Sequence, residues 1–282
     1  APAPQSAPEP EIPPGGAERL ARLLDQHDFS LDAVRNHGRA VPRLFVASLP
    51  PDMKGVSSAE SRKELFVGAV LPWILHINEE IRADRERLQA MAAAHADGQP
   101  VSEAELAWLA ELAERYGVPA AAAAQAPDFT ALLRRVDVVP PSLALGQAAE
   151  ESGWGTSRVA RVANALFGQT AWRVGPRGRT VGEIRRFEDL HASVRAYIHN
   201  LNTHSAYDGM RAARAAQRSA GRHPDGHALA GGLLRYSERG HAYVATVRLI
   251  IRSNDFSRLD QAQLVSPAHR EGMPQVAEVV RF

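Results

Sequence analysis

Ala148-Ala149-Glu150-Glu151-Ser152-Gly153-Trp154-Gly155-Thr156-Ser157 is the stretch on which the reading of this chain turns. It continues a helical pattern that runs from Ser142 through Leu143, Leu145 and Ala148, and it stops at two glycines. The small residues allow close packing, which predicts a central, buried helix. Glu150 and Glu151 are adjacent, so they point about 100° apart and only one can face a given cleft. A carboxylate in the last turn faces the negative end of the helix dipole, and partial desolvation by Trp154 adds to that effect. Both raise its pKa and keep a proton on it near neutral pH, as general-acid cleavage of a glycoside requires beside a sugar subsite. A surface Glu pair at a frayed helix end has the same spacing, so the stretch alone leaves both readings open.

Working outward, 282 residues suffice for one large domain or two small ones with a real core. No run approaches the roughly 18 apolar residues of a membrane span, so none is expected. The chain has no cysteine, which removes disulfides, thiolate nucleophiles and Cys-ligated zinc. His27, His37, His76 and His95 lack the i, i+4 pairing of a metal-binding helix, and neither a metal nor a cofactor is expected. The net charge of +1 hides an asymmetry: from Asp137 onward the balance is +6, and before it −5. A basic second half suits an anionic polymer or an Arg-rich solvated surface.

Ala1 to Gly16 holds six prolines and reads as a disordered leader, such as the tether left after signal-peptide removal. Leu20, Leu23 and Leu24 mark a short amphipathic helix over Ala17–Gln26. Val41 to Pro51 reads as an extended strap. A long helix is expected from about Ser58 to Ala96, with Pro72 kinking or splitting it and a solvated face over Glu79–Arg87. Ser102 and Glu105 form a capping box for the next helix, where Trp108 has core spacing. Asp128 caps a further helix, and Leu190, Val194, Tyr197, Ile198 and Leu201 form a later core stripe. Arg211, Arg214 and Arg218 share one helix face, read as solvent-facing or glycan-peptide contacts rather than nucleic-acid readers. The expected layout is a leader over 1–16, an N-terminal helical region over 17–118, an Ala-rich linker over 119–127, a catalytic domain over 128–255 and a surface tail over 256–282.

Gln147 to Ser157, followed by Asn164-Ala165-Leu166-Phe167-Gly168-Gln169, resembles the signature of glycoside hydrolase family 73, the bacterial N-acetylglucosaminidases. Arg185-Arg186-Phe187-Glu188, Asn200-Leu201-Asn202-Thr203-His204, Leu233 to Gly240 and the strap Val41 to Pro50 resemble its Bax-like branch, so the resemblance covers roughly Val41 to Arg252. It implies a mainly α, lysozyme-like catalytic domain with a β-hairpin, preceded by an N-terminal helical region. It implies hydrolysis of the β-1,4 bond between N-acetylglucosamine and N-acetylmuramic acid in peptidoglycan, in the periplasm or cell envelope. The expected partner is the glycan strand and not nucleic acid, and a monomer is expected although the sequence does not fix the oligomeric state.

Carried over by position, the acid is the Glu directly before Ser-Gly-Trp-Gly, which is Glu151. Trp154, Asn164, Phe167, Trp172 and Tyr243 are the implied substrate-binding residues. Tyr236 matches the family's conserved tyrosine, whose phenol can hydrogen-bond an acetamido group or orient a water. Gln169 to Phe187 reads as a hairpin around a Gly175-Pro176-Arg177-Gly178 turn. No acidic residue lies between Glu151 and Glu183, so Glu183 is the hairpin's candidate second carboxylate, while Glu188 and Asp189 suit a cap for the following helix. Three routes stay open for the second half of the reaction: water activated by Glu183, attack by the substrate's own acetamido group, or closure of the hairpin. Two rival readings remain, a lytic transglycosylase using Glu151 alone and a non-catalytic peptidoglycan-binding scaffold.

Overall fold

A computed structural model of the protein describes residues 15–119, 127–174, 180–266 and 279–282, with the backbone alone at 172–174, 180 and 181. Nearly all of the expected leader, most of the linker, the 175–178 turn and the side chain of Trp172 lie outside the described residues.

The elements in chain order are α1 (Gly16–Gln26), α2 (Leu31–His37), β1 (Phe45–Val46), α3 (Ala59–Ala96), α4 (Glu103–Arg115), α5 (Phe129–Arg135), α6 (Pro141–Ser152), α7 (Arg158–Ala163), β2 (Thr170–Val174), β3 (Thr180–Ile184), α8 (Leu190–Thr203), α9 (Asp208–Ser219), α10 (Gly226–Leu229), α11 (His241–Ser253) and β4 (Val279–Val280). The architecture is mainly α with a β-hairpin, as expected.

Side-chain caps start many of the helices. Ser58, Asp128 and Asp189 each accept a backbone N–H of the first turn, and Ser102 with Glu105 closes the capping box that the sequence predicts. Each such cap is worth about 1 kcal/mol. Helix α2 was not foreseen, although Ser30 caps it and Gly38 ends it at φ 64°.

Pro72 does not split α3, which runs unbroken from Ala59 to Ala96. Every residue from Leu65 to Leu75 is buried. Burying one large apolar side chain gains about 1.5–3 kcal/mol, so that run outweighs the roughly 3 kcal/mol a mid-helix proline costs. Gly68 lets α1 come close, since a Cβ there would lie 2.7 Å from Leu24 Cδ1.

Helix α6 is the centre of the molecule. Every residue from Pro141 to Ala149 is buried, and the helix packs against α3, α10, α11 and the turn at Phe256–Leu259. Gly146 permits the approach of α11, because a Cβ there would meet Ile251 Cγ1 at 2.9 Å. At its N-terminus the Asp260 carboxylate accepts the Ser142 backbone N–H and hydroxyl, both at 2.8 Å, and the Gly226 N–H at 3.2 Å.

The described residues after Ser253 do not form a surface tail. Phe256, Leu259, Leu264 and Val280 are buried, β4 pairs in parallel with β1, and Val41 bridges to Leu264. The strap is thus a junction. Ala47 donates its N–H to the Val280 carbonyl and accepts from Leu190, while the Trp73 indole donates to the Val46 carbonyl. Buried side chains form one continuous core from Ala17 to Val280.

The expected solvent face of α9 is also corrected. Arg211 and Arg214 are 1% and 0% exposed. Arg214 donates to the Asp137 and Val138 carbonyls and to Asn202, and Arg218 forks onto the buried Asp137 carboxylate at 2.8 and 3.2 Å. Buried charges persist only when paired and hydrogen-bonded, and Asp137 supplies that partner from 77 residues away.

Candidate active site

Glu151 is the penultimate residue of α6. The three residues that follow the helix, Gly153, Trp154 and Gly155, all take positive φ, at 57°, 57° and 76°. Ser152 locks this turn by donating to the Ala148 carbonyl and accepting the Gly155 N–H. Only glycine fits at 155, where a Cβ would meet Leu49 Cδ1 at 2.7 Å. Ser157 then caps α7, and Asn164 ends it at φ 50°, its amide donating to the Phe187 and Glu188 carbonyls. That bracket carries Phe167 and Gly168 back over the end of α6. A Cβ on Gly168 would fall 2.5 Å from Glu151 Oε2, so the loop passes directly against the carboxyl.

Glu151 is half-buried, and its pKa is raised. Burial is the largest cause, and the charge of Glu150 adds to it; a hydrogen bond from Tyr243 and the charge of Arg239 oppose it. Tyr243 is 1% exposed, and burial together with the Glu151 charge pushes its phenol so far up that it remains a donor. Behind it, fully buried Gln147 donates to the Tyr243 hydroxyl at 2.9 Å and accepts from the Tyr197 hydroxyl at 2.7 Å. The result is a one-way relay, Tyr197 to Gln147 to Tyr243 to Glu151, that fixes the position of the acid. Glu150 points elsewhere and pairs with Arg239 at 2.5 Å.

The aromatic residues brace this arrangement. Phe167 stacks on Tyr197 at 3.9 Å and 6°, and Tyr236 stacks on Tyr243 at 5.6 Å and 7°. The Tyr236 hydroxyl donates to the Phe167 carbonyl at 2.7 Å, so its proton is committed to holding the Phe167–Gly168 loop. Burial pushes the Tyr236 phenol well above its ordinary pKa.

A cavity of about 1110 Å³ opens beside this loop. Phe167, Gly168 and Tyr236 line it together with residues of α3, α8 and the end of α4, while Glu151 is not itself among the lining residues and meets the cavity only through Gly168. Gly168 therefore touches both the carboxyl and the cavity.

The structure brings Glu151, Phe167, Tyr236 and Tyr243 together. Trp154 is placed differently: its ring meets Phe66 and Phe256 with centroids 5.7 and 6.0 Å away, under the Lys63 ammonium at 5.3 Å, and it does not line the cavity. Asn164 is buried and acts as a loop bracket. Glu183 is exposed on β3, in register with Ala171, and is also outside the cavity lining. Trp172 stands on β2 opposite Gly182.

Sequence reasoning missed Gln147 as a positioning group and took Tyr197 for core alone. The usable signal was a glutamine inside an otherwise apolar buried helix, since such a group must find partners. Among the described residues no His, Cys, Asp and Glu cluster could hold a metal ion, and no helix is long and apolar enough to cross a membrane.

Glu151 is thus a half-buried carboxyl with a raised pKa at a helix end, held against the Gly168 loop that also lines the cavity. Residues 126–255 match the glucosaminidase family model, described as mannosyl-glycoprotein endo-beta-N-acetylglucosaminidase. The chain is 37% identical over 196 residues to Protein bax of Escherichia coli (strain K12), covering 68% of this chain and 70% of that protein. The crystal structure of the catalytic domain of the autolysin Auto from Listeria monocytogenes is matched at 17% identity and a TM-score of 0.33, covering 61% of this chain and 96% of that one. The chain belongs to the glucosaminidase family of glycoside hydrolases.

Proposed function

We propose that the protein is a peptidoglycan hydrolase of the cell envelope that cleaves the β-1,4 bond after N-acetylglucosamine, with Glu151 as general acid. The observation that carries this reading is the Glu151 carboxyl itself. Burial raises its pKa, the Tyr243 hydroxyl fixes its position, and Gly168 leaves it just enough room beside the cavity. Glu151 protonates the leaving oxygen as the oxocarbenium-like transition state develops. Tyr236 and Asn164 hold the loop against the acid, and Phe167 presents an apolar edge to the cleft. For the second half of the reaction three routes stand: water activated by Glu183, which gives inversion; attack by the substrate's own acetamido group; or closure of the hairpin to bring a second group into place.

A lytic transglycosylase is the second reading. It draws support from Glu183 standing exposed on β3 with no acidic residue between it and Glu151, because that chemistry needs one acid and an attacking muramyl 6-hydroxyl. Mass spectrometry of digested sacculi separates the two. Reducing N-acetylglucosamine ends support hydrolysis, and 1,6-anhydro-muramyl ends refute it. Glu151→Gln should lower turnover by about 10²–10⁴-fold while sacculus binding persists. Unchanged turnover in that variant would remove Glu151 from the mechanism.

A further inference from the structure

The two sugars, which offer at most the one lactyl carboxyl of N-acetylmuramic acid as a charge, do not account for the lining of the cavity. Its volume of about 1110 Å³ exceeds the roughly 300–1,000 Å³ that takes a drug-sized ligand. N-acetylglucosamine carries no charge, yet the walls hold charged side chains of both signs. Arg235, next to Tyr236, and Arg185, at the base of the hairpin, are exposed residues of the lining. Among the described residues neither forms an ion pair, and Arg185 lies over the Phe187 ring at 4.9 Å. In the same lining Arg195 pairs with Glu80 at 2.7 Å and Arg115 with Asp84 at 2.9 Å, both pairs partly open to solvent. These charges come from separate elements, α3, α4, α8, the hairpin and the loop before α11, and they converge on one cavity.

Guanidinium groups are planar forks suited to carboxylates, whereas neutral hydroxyls need no such charge. A phosphate backbone suits a surface of one sign, whereas this lining interleaves Glu80 and Asp84 with its arginines. A ligand with several carboxylates and an amine matches both signs. Resting on the peptidoglycan reading above, we propose that this cavity binds the acidic stem peptide carried by the glycan strand, with Arg185 and Arg235 taking its carboxylates. The Glu80–Arg195 and Asp84–Arg115 pairs face the peptide's amine and remaining carboxylate groups. The enzyme therefore selects strands that still bear peptides over strands stripped by an amidase.

The test uses the full chain and the double variant Arg185→Gln/Arg235→Gln, whose altered side chains are exposed and whose melting temperature should match the parent's. Free stem tetrapeptide is titrated into both by calorimetry or NMR, and kcat/KM is measured on stem-bearing and amidase-stripped strands. The parent should bind the tetrapeptide and prefer stem-bearing strands. In the double variant peptide affinity should fall roughly tenfold or more, with the loss on stem-bearing strands appearing in KM. Equal parental rates on both strands, or peptide binding unchanged in the variant, would overturn the assignment. Equal slowing of stripped and stem-bearing strands would also overturn it, because the arginines would then serve the lactyl carboxylate or the glycan. Peptide binding lost in the variant, with no hydrolysis of either strand by the parent, would sink the proposed activity but keep this subsite.

Discussion

Gly168→Ala tests the geometry of the acid more sharply than replacing the acid itself. The added Cβ would lie 2.5 Å from Glu151 Oε2, 3.3 Å from its Cδ and 3.8 Å from its Cγ. Ordinary contact needs about 3.5 Å, so the carboxyl oxygen must retreat by roughly an ångström. Oε2 is the free end of a flexible side chain, so that retreat costs the fold little. The backbone at φ 61° adds about 1–2 kcal/mol of left-handed strain. For a chain of this size each kcal/mol lowers the melting temperature by about 2–4 °C. Displacing a catalytic group by about 1 Å can cost 10²-fold in rate. The variant should therefore stay folded and lose about two orders of magnitude in kcat/KM. Gly38→Ala is the control: its φ of 64° brings similar strain, and a Cβ there meets nothing within 4 Å. The assays are reducing-end release from sacculi and calorimetric melting. If Gly168→Ala keeps activity within threefold of Gly38→Ala, the carboxyl does not need its present position and the argument fails.

Tyr243→Phe removes a hydrogen bond that lowers the Glu151 pKa, so the alkaline limb of the kcat/KM profile should move to higher pH; a shift to lower pH would contradict the relay. Burial raises Asp260 from 3.8 to about 6, so the folded state holds its proton where the unfolded chain has lost it. That contribution to stability is fully present below about pH 4 and falls away as pH rises to about 6, by up to roughly 3 kcal/mol. In Asp260→Asn that downward slope should disappear from urea denaturation series taken between pH 4 and 7, and an unchanged slope would refute it. Asp137→Ala strands the buried guanidinium of Arg214, already lowered to about 10, and should cost about 3–5 kcal/mol in denaturant titrations.

Local chemistry was legible from the sequence, and partnerships across the chain were not. Ser58, Ser102, Asp128 and Asp189 announce their helices because a cap and its N–H groups lie within three residues of each other. The helix-end position of Glu151 could be read in the same way, but its spacing did not separate it from Glu150; the resemblance did. Arg211, Arg214 and Arg218 have the spacing of a solvated face, and only tertiary structure reveals Asp137 beneath Arg214 and Arg218 and the Leu201 and His204 carbonyls beneath Arg211. Trp154 is next-but-two to Glu151 in sequence, yet its left-handed backbone turns the ring toward Phe66 and Phe256. Glu80 and Asp84 likewise read as surface charges of a long helix, because nothing nearby in sequence shows that α8 and the 167–170 loop enclose a cavity against them.

The pairing of β1 with β4 bears on how such a chain can change over evolutionary time. Residues 126–255, the part that matches the family model, are no portable cassette. Their central helix is covered by α3 on one side and by the Phe256–Leu259 turn on the other, and Leu190 is tied to the strap through Ala47. The strap is in turn held by residues from the opposite end of the sequence, Leu264 and Val280. Recombination at the borders of the matched segment would cut through a shared core rather than between modules. Substitutions along the strap and the final strand must therefore stay compatible with each other, even though some 230 residues separate Phe45 from Val279.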